Sequence, residues 1–212
     1  MKCLPLLLIV SLLASCANLS VPRTGFLENR DQLTPNQEHE VWGVPDGIDL
    51  YVAPDLDASK YDSVLIEDTV YMPSADARHT PSEKSLAKLK ANFSKYLGKR
   101  LSRDFTLVSE PGPRTLRVRA AIAEVVRERV WLNILTVILI VPVDMGGIAG
   151  QIEVLDSLTG ERLIAMAAHR DGTPFLVLEC FGPYDHADWG MRKWSSKVRT
   201  ILHASRPVET AP

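Results

Sequence analysis

Two segments of the chain carry apolar side chains every three or four residues, the spacing that is typical of amphipathic helices. We expect the first helix to be capped by Thr80, to have Pro81 in its first turn and to have Glu83 reaching back to the cap. We expect the second to begin near Asp185 or His186. The two apolar stripes consist of Leu86, Leu89, Phe93, Leu97 and Leu101, and of Ala187, Met191, Trp194, Val198, Ile201 and Leu202.

Shorter apolar runs between turn residues predict the strands of a sheet. We predict strands at 48–52, 64–71, 105–108 and 115–126, with the last two joined as a hairpin. We predict a further hairpin between 151–156 and 161–168, with Gly160 supplying a positive φ at the turn. Residues 146–150, which contain three glycines, are expected to form a flexible turn. These elements predict an α+β fold, with two amphipathic helices packed on one face of a mainly antiparallel, mixed sheet.

The segment 115–126 alternates in the manner of a half-buried strand. Its apolar side chains predict the core face, and Arg117 and Arg119 fall on the open face. We therefore consider Arg117 and Arg119 as candidates for receiving an anionic group. The first helix has a second basic surface, which could meet anionic lipid or could simply be solvated, as charged helix faces usually are. It consists of Lys84, Lys88, Lys90, Lys95, Lys99 and Arg103.

Residues 131–143 form a nearly continuous apolar run that is too short to cross a bilayer as a helix. Its β-branched residues favour extended structure. Three interpretations remain open: a strand buried on both faces, an interface with a partner or a second copy, and an apolar loop entering the anchoring leaflet. As an interface, it would present Trp131, Leu135, Ile138 and Ile140.

The N-terminus has the layout of an export signal, with a basic start, an apolar run and small residues before Cys16. Leu13-Ala14-Ser15-Cys16 resembles the lipobox of bacterial lipoproteins, which implies that Cys16 becomes the first mature residue and carries acyl chains. Ala17 follows where an aspartate would imply retention in the inner membrane. We therefore expect a protein tethered to the outer membrane and facing the periplasm, with 16–37 as tether and docking segment.

Composition narrows the class of protein. Hydrophobic residues make up 46% of the chain and charged residues 24%, which are ordinary values for a globular domain. The formal net charge of −2 does not favour binding to nucleic acid. With Cys3 in the signal and Cys16 lipidated, Cys180 has no partner for an internal disulfide, and we expect it to be buried. We expect a signal at 1–15, one domain over 38–206 and a flexible tail at 207–212.

The sequence contains no motif of a common catalytic class. It lacks a nucleophile elbow, a phosphate-binding loop and a His-Glu-x-x-His zinc motif, so we expect no enzymatic activity and no cofactor. One alternative is a transition-metal site at one end of the sheet. Its ligands would come from His169, Asp171, Cys180, Asp185 and His186, whose irregular spacing favours ordinary loop and rim positions instead.

Several segments together resemble the DUF3313 family of bacterial lipoproteins, a family of unknown function. Beyond the lipobox, the matching segments are 25–27, 64–66, 116–122, 153–161 and the final helix with Trp189 and Trp194. The pair Asp156-Ser157 with Thr159-Gly160-Glu161 is the most specific of them. The resemblance implies location in the envelope and supplies no catalytic residues.

Our leading hypothesis is a non-enzymatic, lipid-anchored envelope protein that binds a protein partner or self-associates. It would use residues 131–143 or an exposed sheet edge. The alternative is a protein that binds a small anionic ligand or a lipid.

Overall fold

The computed structural model describes residues 23–35, 38–39, 45–73, 80–126, 147–171 and 184–207. Within these ranges it contains nine strands and two α-helices. The strands are β1 (Thr34–Pro35), β2 (Glu38–His39), β3 (Pro45–Val52), β4 (Ser63–Ile66), β5 (Val70–Tyr71), β6 (Thr106–Val108), β7 (Thr115–Val126), β8 (Gly147–Asp156) and β9 (Arg162–Asp171). The helices are α1 (Glu83–Leu101) and α2 (Asp185–Ala204).

The described strands form one mixed sheet in the order β1-β3-β9-β8-β7-β4-β6, with β2 beside β3 and β5 beside β7. The centre of the sheet, from β3 through β9 and β8 to β7, is antiparallel. The strand β4 runs parallel to both β7 and β6, because α1 provides the crossover that a parallel pair requires. The predicted α+β class and the mainly antiparallel, mixed sheet are confirmed.

Both helices pack on the same face of the sheet, as predicted. The residues of α1 that reach the core are Leu89, Phe93, Leu97 and Leu101, and those of α2 are Ala187, Met191, Trp194, Val198 and Leu202. Each set occupies one side of its helix. The ring of Phe93 lies 6.2 Å from that of Trp194, measured between centroids, so the two helices share one hydrophobic core.

The opposite face of the sheet is covered by the segment Thr24–Leu33, which we call the N-terminal segment. Phe26 and Leu27 are buried there on a floor of small side chains, Ala121, Ala123, Ala149, Ala165 and Ala167. The Thr24 hydroxyl donates to Gln151 Oε1 at 3.1 Å, and Arg162 Nη1 donates to the Glu28 carbonyl at 2.6 Å. Phe26 and Leu27 therefore pack on the face of the sheet away from the helices.

The predicted strand 64–71 is divided into β4 and β5. Both pair with β7, where Ile66 faces Val118 and Val70 faces Ala121. The chain from Ile66 to Val70 therefore contains one residue more than the stretch of β7 that it faces. The extra residue forms a bulge. At this break the backbone N–H of Thr69 donates to Ser94 Oγ of α1 at 3.1 Å, which satisfies a group that the sheet leaves unpaired.

The predicted hairpin between 105–108 and 115–126 is wrong. The strands β6 and β7 do not pair with each other, because β4 lies between them and is parallel to both. The loop that joins them crosses the end of β4, where the Arg114 carbonyl accepts from the amides of Asp62 and Ser63. Arg114 adopts a positive φ of 58°. A turn signal in the sequence marks a change of chain direction but does not show which strand will lie beside which in the sheet.

Two other local predictions differ from the structure. The first helix is capped by Ser82, whose Oγ accepts from the Ser85 amide at 3.3 Å, and not by Thr80. Gly147 and Gly150, which were expected to lie in a flexible turn, belong to β8. A Cβ atom at Gly150 would lie 2.7 Å from the Trp194 ring, so this glycine permits close packing of α2 on the sheet.

The hairpin of β8 and β9 and the C-terminal helix agree with the sequence predictions. The two strands pair from Gly147 with Asp171 to Leu155 with Arg162, and Gly160 at the turn has a φ of +72°. Arg206, the last residue of the predicted domain, has its guanidinium 5.1 Å from the Phe105 ring centroid. Residues 208–212 lie outside the described ranges.

Candidate functional site

A concavity of about 270 Å³ lies on the outer side of the helical layer, between α1 and α2. We call it the basic cleft. Its lining consists of Lys95, Tyr96, Lys99, Arg100, Arg103 and Arg192. Five of these six side chains are cationic and none is acidic, so the cleft concentrates positive charge in a small volume.

The helical repeat explains why these residues come together. Lys95, Lys99 and Arg103 are spaced four residues apart, and Tyr96 and Arg100 form the adjacent row with the same spacing. The apolar positions between them, Leu97 and Leu101, are buried against the sheet. Arg192 comes from α2 and closes the cleft from the other side.

Tyr96 holds the one cleft side chain that α2 supplies. Arg192 Nη2 donates to the Tyr96 hydroxyl at 3.1 Å, and the guanidinium carbon lies 4.7 Å from the centre of the Tyr96 ring. Stacking on an aromatic face orients a guanidinium without neutralising it. These two contacts place the Arg192 guanidinium at the mouth of the cleft.

Four cationic side chains of the basic cleft have no partner in the described part of the chain. No ion pair or side-chain hydrogen bond joins Lys95, Lys99, Arg100 or Arg103 to any residue there. Asp104, which follows Arg103, is already engaged by Arg199, whose Nε lies 2.7 Å from its Oδ2. Like-charged groups left together without counter-charges favour the binding of an anion.

Arginines elsewhere in the described ranges behave differently, because most of them face a carboxylate of the same chain. Such pairs join Arg23 with Asp31, Arg30 with Asp49, Arg114 with Asp62, Arg117 with Glu67, and Arg162 with Glu153. Arg100 and Arg103 differ from these arginines in having no carboxylate partner in the described part of the chain, whereas Lys95 and Lys99 share that state with Lys84, Lys88 and Lys90 of the same helix.

Arg117 and Arg119, the sequence-predicted anion-binding residues, lie on the sheet face opposite the helices and are half-buried. Arg117 pairs with Glu67. Arg119 Nη1 donates to Glu153 Oε2 at 3.1 Å, and its Nε lies 3.6 Å from Glu67 Oε2. An anion arriving here would compete with both glutamates for the two arginines.

The buried carboxylate of Glu153 explains why arginines form a network of ion pairs on this face of the sheet. Its side chain is only 4% exposed, and a buried carboxylate is costly unless cations surround it. Arg119 approaches one oxygen, and Arg162 donates to the other at 2.7 Å. The Arg119 guanidinium also lies 5.1 Å from the Phe26 ring, so the network helps to hold the N-terminal segment on the sheet.

The other predicted site residues fall outside the described ranges. They are the lipidation residue Cys16 and the interface residues Trp131, Leu135, Ile138 and Ile140. For the alternative metal site, no group of three or more His, Cys, Asp or Glu side chains is arranged around a common point among the residues described. Cys180, one of the candidate ligands of that site, lies outside them.

Sequence reasoning found the basic face of α1 but missed Arg100, Tyr96 and the contribution of α2. The spacing of four residues from Tyr96 to Arg100 was a usable signal, because it places both on the row beside Lys95 and Lys99. Nothing in the sequence could show that Arg192 stacks on Tyr96. That contact depends on how the two helices lie on the sheet.

No helix in the described part of the chain has the length and hydropathy that a membrane span requires. Among solved structures, the chain is similar to the PelC dodecamer from Paraburkholderia phytofirmans, with 13% identity, coverage of 73% of this chain and 97% of that one, and a TM-score of 0.46. It is also similar to a protein described as a candidate lipoprotein from Caulobacter crescentus CB15, with 10% identity, coverage of 69% and 92%, and a TM-score of 0.35.

A comparison with curated proteins found no match. The comparison with family models matches residues 22–198 to the family described as "Protein of unknown function (DUF3313)". This match covers most of the 212 residues and confirms the resemblance that the sequence motifs indicated. The chain therefore belongs to the DUF3313 family.

Proposed function

We propose that this protein is a non-enzymatic, lipid-anchored protein of the bacterial envelope that binds an anionic ligand in the basic cleft. One observation carries the proposal: Lys95, Lys99, Arg100 and Arg103 converge without a carboxylate partner in the described part of the chain. Cations gathered in this way repel one another, and a bound anion relieves that repulsion.

The charge distribution along the chain supports this proposal. Residues 83–103 carry seven basic side chains and one acidic side chain, whereas the whole chain has a formal net charge of −2. The remainder of the molecule is therefore acidic, and a diffusing anion is drawn to the helical layer. Such steering raises association rates and weakens with added salt.

The proposal is tested by neutralising two cleft lysines in the double variant Lys95→Gln/Lys99→Gln. Binding of tripolyphosphate, measured by calorimetry, should weaken by about tenfold or more, since charge-assisted contacts are lost. The matched control is Lys84→Gln/Lys88→Gln, which changes the net charge equally, four residues apart on the same helix but outside the cleft. Equal weakening in the two variants would show that binding depends on overall charge and not on the cleft. If the unaltered protein does not bind tripolyphosphate, the proposal is refuted.

The anchor is tested separately on protein purified from its membrane. Intact-mass spectrometry should show a chain that begins at Cys16 and carries acyl groups, and Cys16→Ser should move the protein to the soluble fraction. Multiple acyl chains make anchoring stable rather than reversible. An unacylated chain in the membrane fraction would contradict lipidation at Cys16.

Binding of a protein partner or self-association through residues 131–143 is the second candidate, and the apolar run in the sequence favours it. We expect Ile138→Asp to leave the domain folded and to lower the mass measured by light scattering in mild detergent. Unfolding of the domain by this change would identify the run as core instead.

A further inference from the structure

We infer that the basic cleft opens away from the membrane that carries the anchor, and that its ligand is a phosphate-bearing anion of the aqueous compartment. This inference rests on the proposed function and names the source of the ligand. The same phosphate chemistry could come from lipid headgroups of the anchoring leaflet. The fold favours the aqueous source, because it places the tether and the cleft on opposite faces of one sheet.

The alternation of side chains along the central strands fixes this arrangement. On β7, Leu116, Val118 and Ala120 face the helices, whereas Ala121 and Ala123 contribute to the floor under the N-terminal segment. Phe26 and Leu27 cover that floor. Since the tether leads into Thr24, it reaches the domain on the face that the helices do not cover.

The tether has little length to spare for turning the helical face toward its own membrane. From Cys16 to Thr24, a fully extended chain reaches about 28 Å. Thr24 is hydrogen-bonded to Gln151 of β8, which is the fourth of the seven strands in the main path of the sheet. Either outermost strand is therefore three strand spacings, or about 14 Å, away. Going round an outermost strand and past a helical layer about 10 Å thick therefore takes at least about 24 Å of the roughly 28 Å available. A taut tether would barely reach the cleft.

Electrostatic attraction acts in the opposite direction. A basic helical layer on an otherwise acidic molecule would be drawn toward anionic headgroups. That attraction falls off within a Debye length, about 8 Å at physiological ionic strength, whereas the cleft lies beyond the full thickness of the domain. The geometric constraint therefore dominates when the N-terminal segment is docked.

The size and chemistry of the cleft favour phosphate. Its volume of about 270 Å³ suits a small anion, and its arginines, Arg100, Arg103 and Arg192, have the planar fork that binds phosphate oxygens in pairs. Four cationic side chains without a carboxylate partner in the described part of the chain exceed what one carboxylate needs. A ligand with several phosphate charges, or the phosphorylated end of a polymer, fits this charge best.

The test uses the native lipidated protein in detergent, in vesicles of phosphatidylcholine and in vesicles that also contain phosphatidylglycerol. We expect tripolyphosphate affinity to agree within about twofold in the three states, since neither lipid would reach the cleft. In each state Lys95→Gln/Lys99→Gln should lose about tenfold and Lys84→Gln/Lys88→Gln should lose little.

Two outcomes overturn the inference, and they are distinguishable. Affinity that falls by about tenfold only in phosphatidylglycerol vesicles would show headgroups of the anchoring leaflet occupying the cleft, which contradicts the inferred orientation while the proposed function stands. Absence of tripolyphosphate binding in detergent, where no leaflet competes, would refute the proposed function and the inference with it.

Discussion

At the scale of single residues, Asp156 organises the turn between β8 and β9. Its Oδ1 accepts from the backbone amides of Leu158 at 2.9 Å and Thr159 at 2.8 Å, and its Oδ2 accepts from the Tyr61 hydroxyl at 3.1 Å. These donors, led by the Thr159 amide, lower the pKa of Asp156. Burial, followed by the hydrogen bond to Asp156, raises the pKa of Tyr61 to about 12.

We predict that Asp156→Asn lowers the free energy of unfolding by about 1 to 2 kcal/mol at neutral pH. A carboxyl whose pKa is lowered by folding contributes its full stability above the unfolded value, about 4, and loses it as the pH falls through the folded value. The deficit should therefore disappear in acid. Urea unfolding at a series of pH values measures it, and a deficit that persists at low pH would contradict the assignment.

Gly150 and Gly98 form a second test at this scale. Gly150→Ala would place a Cβ 2.7 Å from the Trp194 ring, and we expect a loss of about 1 to 3 kcal/mol from overpacking. At Gly98, inside α1, the nearest atom to an added Cβ is Ile66 Cδ1 at 3.7 Å. Gly98→Ala should therefore stabilise the protein by about 0.5 to 1 kcal/mol. Thermal unfolding compares the two, and equal shifts would contradict the packing argument.

At the scale of elements, the cap of α1 separates the sequence prediction from the structure. Ser82→Ala removes the oxygen that accepts from the Ser85 amide and should cost about 1 kcal/mol. Thr80→Ala should be nearly neutral, because Thr80 lies two residues before the cap and is exposed. The reverse order of the two losses, in parallel denaturant titrations, would restore the predicted cap.

Local sequence patterns predicted most helices and strands but not which strands lie beside one another in the sheet. The stripe from Leu89 to Leu101 and the alternation from Leu116 to Ile122 depend on burial of one face, which sequence periodicity records directly. The place of β4 between β6 and β7 depends on a crossover, and the bulge between Ile66 and Val70 depends on the register of a distant strand. No local signal encodes either. For the same reason the basic face of α1 could be predicted, whereas Arg192 in the cleft could not.

At the scale of the whole molecule, the sheet separates two surfaces of different character. The helical face ends in a basic cleft, and the other ends in an alanine floor sealed by Phe26 and Leu27. Removing the seal would leave a flat apolar surface that no other segment of the described chain covers. Exposed apolar surfaces of this kind promote association between copies.

We therefore predict that Phe26→Ala/Leu27→Ala lowers stability by several kcal/mol, as large-to-small changes at buried sites do. We also predict that this double variant associates as its concentration rises. Light scattering over a dilution series measures this, with Val70→Ala as a control at an exposed apolar position. A variant that stays at the mass of the unaltered protein at every concentration would contradict the role assigned to the segment.

The pairing of β3 with β9 has a consequence for how the chain acquires its structure. Ile48 pairs with Ala168, so β3 finds its partner only after more than a hundred further residues have been made. Contacts at such separations close slowly, and a chain is synthesised from its N-terminus. The β8–β9 hairpin is local and can form first, and β3 then adds to its free edge. Until then β3 has only the short strands β1 and β2 beside it, and the edge that later pairs with β9 is open. The sheet is therefore completed only when the last third of the sequence is present, and a truncated product would expose that edge to other chains.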